Sequence, residues 1–113
     1  MHELAVTESI IEIAQRHAQQ AGASRILRIH LVIGELSSIV DDSVQFYFDH
    51  LAQNTLAAGA ELVFQRLAVT VRCAACEHTW QPSGADWTCP HCGQPRAKVI
   101  GGDEFYVDSI EVE

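Results

Sequence analysis

Cys73, Cys76, Cys89 and Cys92 fall in the pattern C-x2-C-x12-C-x2-C, and this spacing constrains the chain more than any other feature. A CxxC knuckle puts two thiolates on one tight turn. Two such turns facing each other complete a tetrahedron suited to Zn2+, an ion with no d-electron preference for another geometry. With sulfur in all four positions no open coordination site is left, so the expected metal is structural and not catalytic. Two disulfides or four buried thiols are the alternatives, and paired knuckles favour zinc over both. From Cys73 to Gly102 the chain gains Pro, Gly and Trp and loses aliphatic periodicity. A lobe of about thirty residues cannot fold on a hydrophobic core alone, so metal is expected to supply much of its folding free energy. His78 and His91 flank the knuckles as alternative ligands should a thiol be lost, although solvent-facing histidine is the commoner outcome. Trp80 and Trp87 are expected to pack this lobe.

The rest of the chain reads as helices and strands. Val6, Ile10, Ile13, Ala14, His17 and Ala21 recur at helical spacing ahead of Gly22. Leu27, Ile29, Leu31 and Ile33 alternate with Arg28 and His30, which predicts a strand ending at Gly34. A second helix is expected to end before Gly59, with Asp42 and Gln45 as a capping box and Val44, Phe48 and Leu51 on its apolar face. Between Ala60 and Arg72 the alternation changes phase near Arg66, which predicts one bulged strand. A last strand follows, with Tyr106, Ile110 and Val112 in one phase. The expected fold class is α+β: two helices packed on a small, about three-stranded sheet, with an inserted zinc-ribbon lobe. The expected domains are 1–72 plus 103–113, and 73–102.

Fifteen acidic residues against seven Lys and Arg give a formal charge of −8, the wrong sign for a nucleic-acid partner. No apolar run approaches the ~18 residues of a membrane span, and no basic segment opens a leader, so no membrane partner and a cytoplasmic location are expected. Residues 101–105 spell GGDEF, the signature of the much larger diguanylate cyclases, and are read here as a turn into the last strand. No G-x-x-x-x-G-K-[ST] loop is present, so nucleotide hydrolysis would belong to a partner. His17, His30 and His50 are isolated and read as packed or surface histidines. No nucleophilic triad can be assembled, and no enzymatic activity is expected.

The opening MHE raises a different chemistry. The α-amine of Met1, the next peptide nitrogen and the His2 side chain can close adjacent chelate rings, with the peptide nitrogen of Glu3 as a fourth donor. Nitrogens in a plane suit Ni2+ or Cu2+ better than Zn2+. A solvated terminal residue is the plainer alternative. MHE, a helix and strand ending in GELSSI, and a late CxxC with CPHC, in a chain of 113 residues, together resemble the HypA/HybF family of hydrogenase nickel-incorporation proteins.

The resemblance spans the chain and implies a nickel site built from the amino-terminal nitrogen, His2 and neighbouring backbone, which Met1, His2 and Glu3 match. It implies zinc on Cys73, Cys76, Cys89 and Cys92, and Ni2+ as cargo. It further implies delivery to the [NiFe]-hydrogenase large subunit with a HypB-like maturation GTPase and, in some organisms, dealings with urease maturation proteins. Some members add an acid after the first strand as a nickel ligand. Asp41 and Asp42 stand near that position, where helix capping also suits them. The rival function is a zinc-ribbon protein–protein adaptor with no nickel role.

Overall fold

The computed structural model describes residues 3–113, and these form two compact units. One takes in the chain up to Val32, Ser38–Gln65 and Phe105–Glu113, and the other Ile33–Ser37 and Arg66–Glu104.

The first unit holds α1 (Glu3–Gln20), most of β1 (Ile26–Gly34), α2 (Asp41–Leu51), most of β2 (Glu61–Leu67) and β6 (Phe105–Val112). Its sheet has the order β2-β1-β6, which makes β1 the central strand. Ile29 and Leu31 are fully buried and share one core with Ile10, Ile11, Ala14 and Ala18 of α1 and Val44 and Phe48 of α2. Arg28 and His30, at the alternate positions of β1, are left to pair across the sheet: Arg28 Nε reaches Glu61 at 2.8 Å, and His30 Nε2 lies 2.6 Å from Glu111 Oε2. Two helices with small sheets make this an α+β fold, as the hydrophobic patterning predicts.

The buried stripe of α1 is Thr7, Ile10, Ile11, Ala14 and Ala18, whereas His17 is exposed, so the helix is rolled away from the predicted face. Small Ala14 and Ala18 at this seam let α1 approach its neighbours closely. The second helix stops at Leu51 and gives way to turns over 52–59. Thr55 explains the early stop: its Oγ1 donates to the Ala52 carbonyl at 2.6 Å and accepts the Ala57 N–H at 3.0 Å. A side chain competing for backbone partners in this way favours a turn over helix. In β6, Phe105, Val107 and Ile110 pack on the core while Tyr106 and Val112 are exposed, because Asp108 and Ser109 face outward in succession and shift the alternation.

The predicted bulged strand is two strands, β2 and β3 (Thr70–Cys73), in different sheets, and its phase change marks the passage from one sheet to the other. In the second unit β3 is central, flanked antiparallel by β4 (Thr79–Trp80) and β5 (Ala97–Gly101). Segment 33–37 is tied into this unit by backbone bonds: Glu35 N–H to the Leu67 carbonyl at 2.8 Å and Leu36 N–H to the Gly102 carbonyl at 2.7 Å. The approach demands glycine on both sides. A Cβ on Gly34 would lie 2.1 Å from the Gly102 oxygen, and one on Gly102, at φ +107°, would lie 2.7 Å from Val69 Cα. Of the two glycines of GGDEF, Gly102 therefore serves a backbone crossing, whereas a Cβ on Gly101 would meet nothing closer than Glu104 Oε2 at 3.4 Å.

Candidate metal centre

Two turns of near-identical construction carry the cysteines. In the first, the Glu77 N–H closes onto the Cys73 carbonyl at 2.8 Å and the Cys73 N–H donates to the His78 carbonyl at 2.9 Å. In the second, the Gly93 N–H closes onto the Cys89 carbonyl at 2.9 Å and the Cys89 N–H donates to the Gln94 carbonyl at 3.0 Å. Both turns end in a left-handed residue, Glu77 at φ 66° and Gly93 at φ 77°. Backbone N–H groups also point at sulfur, from Ala75 to Cys73 Sγ and from His91 and Cys92 to Cys89 Sγ, each at 3.4 Å.

The four sulfurs all lie within 4.8 Å of one another. Cys73 and Cys92 Sγ are 3.6 Å apart, and Cys76 and Cys89 Sγ 3.7 Å. A regular tetrahedron with Zn–S bonds of ~2.3 Å has edges of about 3.8 Å, so this donor set fits a sulfur-bound tetrahedral ion. All four are free thiols, with Cys73 and Cys89 buried and Cys76 and Cys92 nearer the surface. Burial would push the Cys73 thiol up, but the amides of Cys76 and Ala75 and the sulfurs of Cys92 and Cys76 hold it at about 7. Cys89 is lowered likewise, its burial outweighed by the amides of Cys92 and His91. For Cys76 the His78 amide acts downward, yet burial and the three neighbouring sulfurs push it up to about 12. At Cys92 the Gln94 amide acts downward and is outweighed by burial and the Cys73 and Cys89 sulfurs, so it too is raised. The amides aimed at Cys73 and Cys89 favour the charged form of sulfur, the form that ligates metal, so binding an ion here releases protons from the cluster.

His78 and His91 stack on each other with centroids 5.4 Å apart, and His78 stacks on Trp80 at 5.9 Å. Both histidines are exposed. Among the described residues the cysteines are the only group of three or more His, Cys, Asp and Glu whose ligand atoms come close enough to share an ion.

Met1 and His2 lie outside the described residues. Glu3 is the first residue of α1, and its Oε2 accepts the Val40 N–H at 3.2 Å. Its own backbone N–H and that of Val40 hold its carboxyl below the usual carboxylate range. Asp41 and Asp42 occupy the first turn of α2. The predicted capping box does not form: the N-cap is Val40, no side chain of its own caps it, and Gln45 Nε2 donates to Asp49 instead, at 2.8 Å. The contact of Glu3 with the start of α2 went unread because no local spacing links residues so far apart in sequence. The left-handed corner at residue 77 was legible in principle, since CPHCG carries the glycine that CAACE lacks.

The chain matches, over residues 1–112, the family model described as hydrogenase/urease nickel incorporation, metallochaperone, hypA. It is 44% identical over 113 residues to the hydrogenase maturation factor HypA of Dehalococcoides mccartyi, covering 100% of this chain and 95% of that one. It is 40% identical over 113 residues to the maturation factor HybF of Salmonella typhimurium, covering 100% of both. The solution structure of the Ni metallochaperone HypA from Helicobacter pylori superposes with a TM-score of 0.70 at 26% identity, over 99% of this chain and 97% of that one. A second solution structure, of HypA protein, superposes with a TM-score of 0.79 at 27% identity, over 100% and 97%. Full-length agreement with the family model and with curated relatives, on a fold shared with solved members, shows that this chain belongs to the HypA family of hydrogenase maturation factors.

Proposed function

We propose that the chain is a cytoplasmic nickel carrier: it takes Ni2+ on the Met1 α-amine, the His2 imidazole and the peptide nitrogens of His2 and Glu3, and passes it to a [NiFe]-hydrogenase large subunit. A HypB-like GTPase works with it, and urease maturation is a second destination. Zn2+ on Cys73, Cys76, Cys89 and Cys92 holds the second unit together and takes no part in transfer. The observation that carries this reading is the closed sulfur site. Four cysteines that fit a tetrahedral ion leave no open position for cargo, and no other group of three or more potential ligands converges among the described residues. The amino-terminal donors that the resemblance to the HypA/HybF family implies are the nickel site this reading assigns, and membership of a nickel-incorporation family supports it. Release by ligand exchange suits such a site, since protons compete for an amine of reference pKa about 7.7 to 8.0 and an imidazole of about 6.5. The functional division of 1–72 plus 103–113 for cargo and 73–102 for zinc follows the ligands and not the packing, since 33–37 and 66–72 pack with the zinc lobe.

The test is nickel insertion into purified apo large subunit by untagged chain and by His2→Ala, with zinc content measured in parallel. Insertion should be lost in the variant while one zinc per chain is retained. Full insertion by His2→Ala would favour the adaptor role instead.

A further inference from the structure

The mid-part of α2 turns an unusual side chain to solvent. Phe46 is 59% exposed, the highest value among the exposed large hydrophobics of the described residues, although Val44 and Phe48 on either side of it are buried. It is not isolated: the Tyr47 ring meets it edge-on with centroids 5.4 Å apart, and the His50 ring does the same at 5.1 Å. One helical turn before Phe46 stands Asp42, and about one turn after it Asp49, both exposed. Asp49 is held in place by the Gln45 amide at 2.8 Å. The arrangement is an open aromatic face bracketed by two carboxylates on a chain of net charge −8.

We infer that this face of α2 docks an arginine-bearing apolar segment of a partner protein. Guanidinium matches both halves of the surface: its plane lies flat on an aromatic ring, and its N–H fork pairs with a carboxylate beside that ring. An ammonium can pair with the carboxylate but is strongly hydrated and offers no plane to stack. An apolar neighbour of the arginine completes the cover over Phe46, whose exposure is otherwise unexplained by the fold. Phe46 follows Asp42 by four residues, roughly 6 Å along the helix axis, so a docked segment also lies beside the start of α2.

Isothermal titration of the full chain tests this with a short amphipathic helical peptide carrying Arg and Leu one turn apart, against twins in which Lys or citrulline replaces every Arg. The Arg peptide should bind about tenfold more tightly than the citrulline twin and several-fold more tightly than the Lys twin. Phe46→Ala should erase most of the Arg advantage, Phe46→Leu should retain only part of the affinity, and Asp42→Asn with Asp49→Asn should weaken the Arg peptide selectively. Phe46→Ala should leave the melting temperature and the nickel affinity of the isolated protein unchanged, which separates failure here from failure of the nickel reading. Equal affinity for Arg and citrulline peptides overturns the inference, as does undiminished binding to Phe46→Ala. Sedimentation that shows wild-type self-association abolished by Phe46→Ala would assign the face to a second copy of the chain and overturn it equally.

Discussion

The Glu3 carboxylate accepts the backbone N–H of Val40 at 3.2 Å, so the first turn of α1 supplies the cap that α2 lacks from its own N-cap residue. A carboxylate at this position satisfies an orphan donor and faces the positive end of the helix dipole. Glu3→Ala should expose the Val40 amide and fray the first turn of α2, whereas Glu3→Gln keeps an acceptor and should preserve most of the protection. Amide hydrogen exchange at Val40 reads the difference directly; equal protection in wild type and Glu3→Ala would deny the cap.

The two cysteine knuckles differ at their corners. Glu77 holds φ 66° where its counterpart is glycine at φ 77°, and a side chain in the left-handed region costs about 1 kcal/mol. Glu77→Gly should stabilise the zinc-bound protein by up to about 0.5 kcal/mol, after allowance for the greater freedom of glycine in the unfolded chain. Gly93→Ala should destabilise it by about 0.5–1 kcal/mol. Chemical denaturation of both variants with zinc present checks the pair, and destabilisation by Glu77→Gly would contradict the argument.

The Gly34 and Gly102 crossing leaves no room for a methyl group, since the atoms opposing it are backbone and cannot swing aside. Gly34→Ala should cost at least about 3 kcal/mol, or prevent folding of the second unit altogether. Heteronuclear spectra should show the resonances of 66–104 displaced or broadened. A variant with a native spectrum and unchanged melting temperature would refute the close approach.

Glu111 is held below its ordinary value of 4.5 by the hydrogen bond with His30 and by Arg28, against some opposition from burial. Because the folded value lies below the unfolded one, its stabilising contribution is complete above the ordinary value and is lost as pH falls through the folded value. The pairs are half-exposed, with Arg28 side-chain exposure at 46% and Glu111 at 45%, so the effect is modest and weakened by salt. Glu111→Gln should melt below wild type at neutral pH, with the gap closing as the solution is acidified below 4.5. A gap that widens on acidification would reverse the sign assigned here.

Local spacing carried much of this fold. The CxxC pairs, the alternation in β1 and the helical period of α1 each record a contact within a few residues, and those elements are found where the pattern puts them. What escaped depended on contacts distant in sequence. The phase change after Phe64 is the same whether a strand bulges or ends, and only pairing of β3 with β4 and β5 decides between them. The roll of α1 away from His17 was hidden because Thr7 and Ala18 carry little hydrophobic signal yet line the packed seam beside Ala14. The Thr55 turn and the Glu3 cap involve polar side chains whose partners no periodicity reveals.

The central claim is that Ni2+ is held by the amino terminus together with His2, and calorimetric titration of Ni2+ into untagged protein before and after acetylation of the α-amine tests it most directly. Acetylation leaves every side chain intact and removes only the amine, so the claim predicts loss of high-affinity nickel binding with zinc content unchanged. Nickel bound as tightly by acetylated as by free protein would contradict it, and Asp41, Asp42, His78 and His91 would then be the donors to examine.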